Sequence, residues 1–341
     1  KPGTYDRASD SYSFDRAINP SQDLQRGQFT VDEASNALYI RLPQGQTINQ
    51  ANIEVARSEQ LFRSREPNSN LVLRNLEFAH AANRYHRNYA FGAVDIGGIR
   101  GLSELKSPQN TVLENISVYD NSGPGVRLRY TQNVTVRDSD FARNGASGLF
   151  TEGMDGILFQ NIDAQYNNWR GNLGNYRGWA VAGIKNARGQ NFTADNVNAS
   201  YNYAHGYWHD VNVKNTLFMN GIAEQNSRHG LFIEVSEGPH QFINSISRDN
   251  GSAGVMINTS PNVFLQGNYI ANNGSGQDFE GEQLNNGIDT GDGEIRVGAR
   301  TDREEINPEL PDIVDNITVI DNVIENTSAR TDNELVDIYS N

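Results

Sequence analysis

This chain reads as an all-β solenoid. Asn recurs at a fixed interval, short alternating apolar runs recur with it, and no stretch sustains a helical period. Asn accounts for 43 of the 341 residues, about one in eight, without any low-complexity tract. One column runs Asn75, Asn115, Asp138, Asn161, Asn196, Asn220, Asn244, Asn268 and Asn322; from 115 to 268 it steps by 23 or 24 residues, with one step of 35. A second column follows about six residues later, at Asn121, Asn144, Asn167, Asn202, Asn226, Asn250, Asn273 and Asn326. Between the columns lie three short strand-like pieces per repeat, for example Gly230–Val235, His240–Ile243 and Ser245–Arg248.

Pieces this short cannot form an independent sheet within one repeat. They can form one coil of a parallel β-helix, each strand bonding its equivalent about 4.8 Å away in the next coil. Asn suits the corners, because it tolerates the left-handed backbone and its amide can hydrogen-bond up a column. A propeller blade needs about 40–45 residues, which this period excludes. Leucine-rich repeats have a suitable period, but their Leu ladder is missing. The reading is a parallel β-helix of about ten coils.

Taken in order, residues 1–65 are irregular and read as an N-terminal cap, with Gly27–Arg41 forming two strands around an Asp/Ser/Asn turn. Such a cap blocks edge pairing at the first coil. Residues 66–341 carry the helix, interrupted by insertions at 79–110, 168–178 and 274–315. Long insertions in a solenoid sit on its flank and commonly wall a binding groove.

Composition narrows the function. Lys and Arg number 28 against 42 Asp and Glu, a net charge of −14, so no global field attracts nucleic acid. No apolar run approaches the roughly 18–20 residues of a membrane helix. The absence of Cys removes disulfides, zinc ribbons and thiol nucleophiles. The start at Lys1 reads as a processed or trimmed chain whose export signal lies outside it.

The strand after the second Asn aligns between coils as Gly125–Arg129, Gly148–Glu152, Gly206–Asp210, Gly230–Glu234 and Gly254–Asn258. Alternation turns Val126, Leu149, Leu231 and Val255 inward. One outward column is then Arg127, Phe150, Trp208, Phe232 and Met256, and the next is Arg129, Glu152, Asp210, Glu234 and Asn258. Val181–Lys185 places Lys185 near the carboxylates after a one-residue slip, and the preceding turn adds His205, Arg228 and His229. Exposed rings beside carboxylates and cations are what a carbohydrate groove needs. The bland alternative for the rings is packing beneath the 168–178 or 274–315 segments.

Asp210 and Glu234 sit at equivalent positions in adjacent coils, an arrangement of like charges that an ordinary surface avoids. Two chemistries fit. Paired carboxylates at roughly 5 Å suit glycoside hydrolysis with retention, whereas pairing either with Glu152 suits inversion. Alternatively, Lys185, His209, His205, His229 and Arg228 supply the base and the cations for β-elimination or C5 epimerisation of a uronic acid. A non-catalytic glycan-binding helix is the third possibility. The run Asp289-Thr-Gly-Asp-Gly-Glu294 offers Asp289, Asp292 and Glu294 at spacing compatible with Ca²⁺, and neither chemistry requires another cofactor.

Residues 27–80 and 110–273 resemble the secreted right-handed parallel β-helix proteins of bacteria that act on polysaccharides. The likeness rests on Leu71–His80, Asn167–Gly171, Trp179–Lys185, Gly206–Asp210 and Gly230–Ser236. They look closest to a group near the fucosidase and xylanase types of glycoside hydrolase. The resemblance implies a secreted or periplasmic enzyme acting on a polysaccharide. An acidic or sulfated substrate suits the basic cluster. Asp210, Glu234 and Lys185 are the expected catalytic residues. Trp208, Phe232, His205, His229, Arg228, Glu152, Arg129, Trp169 and Arg170 are expected to line the substrate.

Overall fold

A computed structural model describes residues 4–6, 11–13, 24–32, 35, 37–64, 68–83, 91–97, 108–169, 181–277, 280–281, 293–299, 314–326 and 335–340. The chain forms two compact units, residues 1–57 and 58–341, so the break falls ahead of the expected boundary at 65. In the first unit, Gln28–Asp32 and Ala37–Arg41 pair as an antiparallel hairpin with Phe29 opposite Ile40, matching the strand pair read from Gly27–Arg41. A second hairpin pairs Thr4–Asp6 with Ser11–Ser13.

The second unit is a stack of parallel coils. One sheet has ten strands: Phe62–Ser64, Val94–Gly97, Val126–Arg129, Leu149–Glu152, Ala182–Ala187, His205–Asp210, Leu231–Glu234, Val255–Asn258, Ile295–Ala299 and Val336–Ser340. A 13-stranded sheet forms the rest of the coil wall. Its early strands are continuous, as in Gln132–Ala142, while later coils split them, as in Lys214–Met219 and Ile222–Glu224. Three pieces per coil therefore describe only the later coils.

Two of the expected insertions contain coil strands. Val94–Gly97 lies within 79–110 and pairs with Val126–Arg129, and Ile295–Ala299 lies within 274–315 and pairs with Val255–Asn258. Both alternate inward and outward as the other coils do. Their place was hidden because Ala81 stands at the ladder position of the first coil, and because Ile295 lies 22 residues beyond the ladder residue Asn273 of the second, far from the usual four- or five-residue spacing.

The interior is a set of apolar columns. In register, Leu113, Val136, Phe159, Ala194, Phe218, Phe242 and Leu265 climb through successive coils, all buried. Each buried Phe or Leu contributes about 1.5–3 kcal/mol from its removal from water.

The two Asn columns do different work. The first is a backbone device: Asn75, Asn115, Asp138, Asn161, Asn196, Asn220 and Asn244 all have φ between 49° and 56°. Gly267 and Asp321 continue it, so Asn268 and Asn322 stand one position later than expected. There Asn322 Oδ1 accepts the Asn268 amide at 2.9 Å. The second column is an internal amide ladder. The Asn202 backbone N–H and Nδ2 both donate to Asn226 Oδ1, at 3.1 and 3.0 Å. Asn226 Nδ2 donates in turn to Asn250 Oδ1 at 3.0 Å and to the Ala199 carbonyl at 2.9 Å. The left-handed backbone at this corner belongs to the preceding residue, such as Tyr201 or Gln225. The ladder passes from Asn273 to Glu294, not to Asn326, with Asn273 Nδ2 donating to Glu294 Oε2 at 2.5 Å.

A buried polar strip faces inward from the ten-stranded sheet. Thr151 Oγ1 donates to Asn186 Oδ1 at 2.8 Å, and His209 follows in the same column. His209 packs edge-on against Tyr207 and stacks on His240, whose Nδ1 shares a 2.8 Å hydrogen bond with Thr216 Oγ1. His209 therefore lies inside the coil and takes no part in an external elimination site. No helix among the described residues is long and apolar enough to cross a membrane.

Two predictions follow from this interior. Asn226→Ala orphans two donors on Asn202 and the Ala199 carbonyl, so it should destabilise by about 3 kcal/mol or more in urea unfolding. An unchanged midpoint would remove the ladder from its structural role. Burial draws His240 down to about 4 and His209 well below the usual 6.5. Unfolded histidines take up protons below about 6.5, while the buried rings resist until lower pH. Stability is then complete above about pH 6.5 and declines toward about pH 4, by roughly 3 kcal/mol at most for His240. His240→Gln should flatten that decline in unfolding measured across this range.

Candidate functional site

The register of the ten-stranded sheet comes from glycines lying against the amide ladder. A Cβ on Gly183 would meet Asn202 Nδ2 at 2.6 Å, and one on Gly206 would meet Asn226 Nδ2 at 2.7 Å. Six successive coils bring Gly to this point, at 125, 148, 183, 206, 230 and 254, while Ala93 and Glu294 stand there in the flanking coils. Gly183 therefore matches Gly206, and the rest of the strand follows. Lys185 pairs with Phe150 on one side and Trp208 on the other, while Ala187 pairs with Asp210. Lys185 thus belongs to the aromatic column without any slip, a correction of the alignment that began at Val181.

The two outward columns are otherwise as the alternation predicts. The first runs Asp95, Arg127, Phe150, Lys185, Trp208, Phe232 and Met256. The second runs Arg129, Glu152, Ala187, Asp210, Glu234 and Asn258. Asp210 and Glu234 are in register in adjacent coils.

The aromatic column is not an open ridge. Trp208 is 4% exposed and Phe232 7%, and they form a small apolar cluster with Ala182, Ala253 and Met256. Their rings stack at 5.2 Å with an interplanar angle of 19°. Glu234 is also buried, at 5% exposure. The Asp210 side chain keeps 18% of its surface open. Beside this cluster the Tyr203 hydroxyl donates to Glu280 Oε1 at 2.8 Å.

Lys185 ties the columns together. Its Nζ lies 3.4 Å from the centre of the Trp208 ring and 2.7 Å from Asp210 Oδ2. A buried ammonium needs both a counter-ion and a polarisable face, and it has both. The carboxylate stack is therefore a Lys185–Asp210 pair with Glu234 next to it in the column.

The histidines lie beside the rings. His205 and His229 stack at 5.1 Å, and His205 contacts Trp208 at 4.8 Å and Phe232 at 4.9 Å. Burial holds His205 well below the usual 6.5, and the charges of Arg228, His229 and Lys185 reinforce this. His205 is thus neutral at physiological pH. Arg228 is half-buried.

Farther up the same face, Glu152 bonds Arg188 at 3.3 Å and accepts from the Tyr130 hydroxyl at 3.2 Å. Arg129 lies 3.6 Å from Asp95, a carboxylate buried in the aromatic column. Burial, with Arg129 alongside, draws Arg127 down to about 10. Glu152 and Arg129 are thus two and three coils from Asp210 along one column. Trp169 is half-buried at the end of its turn.

Arg170, Asp289 and Asp292 fall outside the described residues. Glu294 is buried with both oxygens engaged by Asn273, so it ends the ladder in place of offering a free metal ligand. Among the described residues no group of three or more His, Asp and Glu is arranged to hold a metal ion. Sequence reading missed Asp95, Tyr130, Arg188 and Tyr203. Asp95 could have been found by extending the strand alignment one coil up, from Val126–Arg129 to Val94–Gly97.

Residues 100–273 match the family described as right handed beta helix region. A search of curated proteins finds no match. Among solved structures, the fold is similar to the A-module of mannuronan C-5 epimerase AlgE4 of Azotobacter vinelandii, at 19% identity and a TM-score of 0.56, covering 78% of this chain and 70% of that one. The AlgE6 A-module of the same organism gives 20% identity, a TM-score of 0.57 and coverage of 78% and 65%. A variant of the periplasmic alginate epimerase AlgG gives 12% identity, a TM-score of 0.53 and coverage of 86% and 66%. The chain spans about two-thirds of the length of these proteins, and at such identities the likeness is one of fold.

The buried pair makes an asymmetric prediction. Asp210→Ala leaves an ammonium buried without its counter-ion and should cost about 2–3 kcal/mol. Lys185→Met leaves only a partly solvated carboxylate and should cost less. Urea unfolding of both variants checks the order; equal costs would mean that Lys185 does not depend on Asp210.

Proposed function

The chain belongs to the right-handed β-helix family, and on that premise we propose that it is an extracytoplasmic enzyme acting on an acidic polysaccharide at the face that carries Lys185, Asp210 and Glu234. The observation that carries this reading is the 2.7 Å contact between Lys185 Nζ and Asp210 Oδ2, with Glu234 in register one coil on. A carboxylate fixed by a buried cation is preorganised, which is what transition-state stabilisation requires.

In glycoside hydrolysis Asp210 is the anionic partner, attacking the anomeric carbon or activating the water that does. Glu234 is the proton donor to the glycosidic oxygen. The coil spacing of about 4.8 Å is close to the roughly 5–5.5 Å separation of retaining enzymes. Lys185 holds Asp210 and adds positive charge where an acidic sugar approaches. Trp208 and Phe232, being buried, support Lys185 from behind; His205, His229 and Arg228 flank it. Glu152 and Arg129 extend the face to further sugar units, with Trp169 at its margin. This chemistry runs without a cofactor.

A second reading is favoured by Lys185 itself. As a base near a uronate it would take the C5 proton, leading to epimerisation or to elimination. The mannuronan and alginate epimerases that share the fold carry out chemistry of this kind.

The products separate the readings. In a screen of charged glycans, hydrolysis yields reducing ends without unsaturated uronate, elimination adds its ultraviolet absorbance, and epimerisation changes neither but alters the sugar proton spectrum. Asp210→Asn and Glu234→Gln should each lower turnover by about 10²–10⁴-fold in protein that circular dichroism shows to be folded. Full activity in both variants, with loss in Lys185→Ala, would transfer the chemistry to the second reading.

A further inference from the structure

Just past the carboxylate column the chain turns a corner with left-handed backbone at Tyr130, Gly153 and Arg188 in successive coils. Gly153 has no side chain, and the Tyr130 ring fills the space above it, so closely that a Cβ there would lie 2.3 Å from Tyr130 Cε1. At Gly189, next to Arg188, a Cβ would lie 2.7 Å from the Met154 carbonyl oxygen, so the chain runs close beneath the corner. A depression of about 430 Å³ lies between Tyr130 and Arg188, continued by Gln132, Asp155, Gln190, Asn212 and Lys214. It crosses four coils, or about 14 Å. Its far end, Asn212, is two residues beyond Asp210 in the chain.

The chemistry of the lining is specific. Tyr130 is half-buried and oriented by its hydroxyl bond to Glu152 Oε1. The Arg188 side chain, which also bonds Glu152, keeps 45% of its surface open. Gln132, Gln190 and Asn212 add side-chain amides suited to hydroxyl groups; Gln190 Nε2 donates to Asp155 at 3.0 Å, and Lys214 pairs with Glu237 at 2.6 Å, which leaves Arg188 as the cation at the centre of the groove. The volume falls in the range of roughly 300–1,000 Å³ typical of small-ligand sites.

We infer that this corner groove is an accessory subsite for a short anionic stretch of the same glycan, with one sugar ring on Tyr130 and its carboxylate or sulfate toward Arg188. This rests on the reading that the adjacent face binds a polysaccharide. Glu152 joins the two regions, since it stands in the carboxylate column and holds both Tyr130 and Arg188. The groove therefore lengthens the binding surface without adding to the reacting groups.

The test is calorimetric binding of alginate and polygalacturonate trimers and hexamers, with neutral cello-oligosaccharides for comparison. Turnover is measured in parallel, using the wild type, Tyr130→Ala, Arg188→Gln and Lys185→Ala, all verified as folded. Tyr130→Ala should weaken hexamer binding about tenfold and leave the trimer unaffected, the scale expected of one ring contact. Arg188→Gln should weaken hexauronate binding and reduce its salt dependence, while Lys185→Ala loses turnover but keeps the hexamer-over-trimer preference. Unchanged hexamer affinity in both corner variants, alongside wild-type turnover, overturns the subsite and leaves the proposed activity intact. Neutral hexamers binding as well as charged ones overturns its anionic selectivity. A wild type that neither binds nor turns over any probe overturns the subsite and the proposed activity together.

Discussion

The amide ladder from Asn121 to Asn273 is the constraint on which the rest of the structure depends. Each rung fixes the height of one coil against the next through two donors and one shared acceptor, as Asn202 does with Asn226. It also excludes side chains from the strand position beside it, which forces Gly at 183, 206, 230 and 254. A one-residue slip in a strand would turn every side chain to the other face. The ladder prevents that slip, and so it determines that Lys185, Trp208, Asp210 and Glu234 point outward together.

The charged groups on this face are consequently held by packing. Lys185 is buried between an indole and a carboxylate, and the rings behind it are closed to solvent. Burying one charge against a partly solvated partner lowers the desolvation cost relative to burying both. The same arrangement leaves Asp210 as the carboxylate with a solvent-reached edge, next to a buried Glu234. Equivalent sequence positions thus acquire unequal environments.

Much of this was legible in the sequence because it is periodic. The coil length, the Asn columns and the outward pairs Trp208/Phe232 and Asp210/Glu234 all follow from repetition and alternation. What was not legible is what repetition does not encode. Val94–Gly97 follows a ladder position held by Ala81, and Ile295–Ala299 lies 22 residues beyond Asn273, so both read as insertions. Lys185 was misaligned because Val181–Lys185 matches the strand length while Gly183 alone marks the ladder contact. The burial of Trp208 and Phe232 depends on contacts distant in sequence, and alternation cannot reveal it. Glu294 was read as a metal ligand because acidic residues near Gly resemble a cation loop, whereas it replaces an Asn as the last acceptor of the ladder.

The corner behind the carboxylates shows how the fold holds their backbone in place at a cost. Val211, Val235 and Thr259 follow Asp210, Glu234 and Asn258, and all three have φ between 47° and 51°. β-Branched residues rarely adopt that backbone, at a cost of about 1–3 kcal/mol each. It persists because each N–H is bonded to the next coil: Val211 to the Glu234 carbonyl at 2.9 Å, Val235 to that of Asn258 at 2.9 Å, and Thr259 to that of Gly298 at 2.8 Å. Gly or Asn would relieve the strain but would loosen the link to the residue before it. A stiff β-branched corner clamps the backbone of Asp210 and Glu234 immediately after their side chains leave the sheet. The opposite corner is fixed in sequence by Asn, whereas this one is fixed only in conformation and accepts Tyr, Gly, Arg, Val or Thr. That freedom is why its side chains can differ from coil to coil while the carboxylates beside them stay in register.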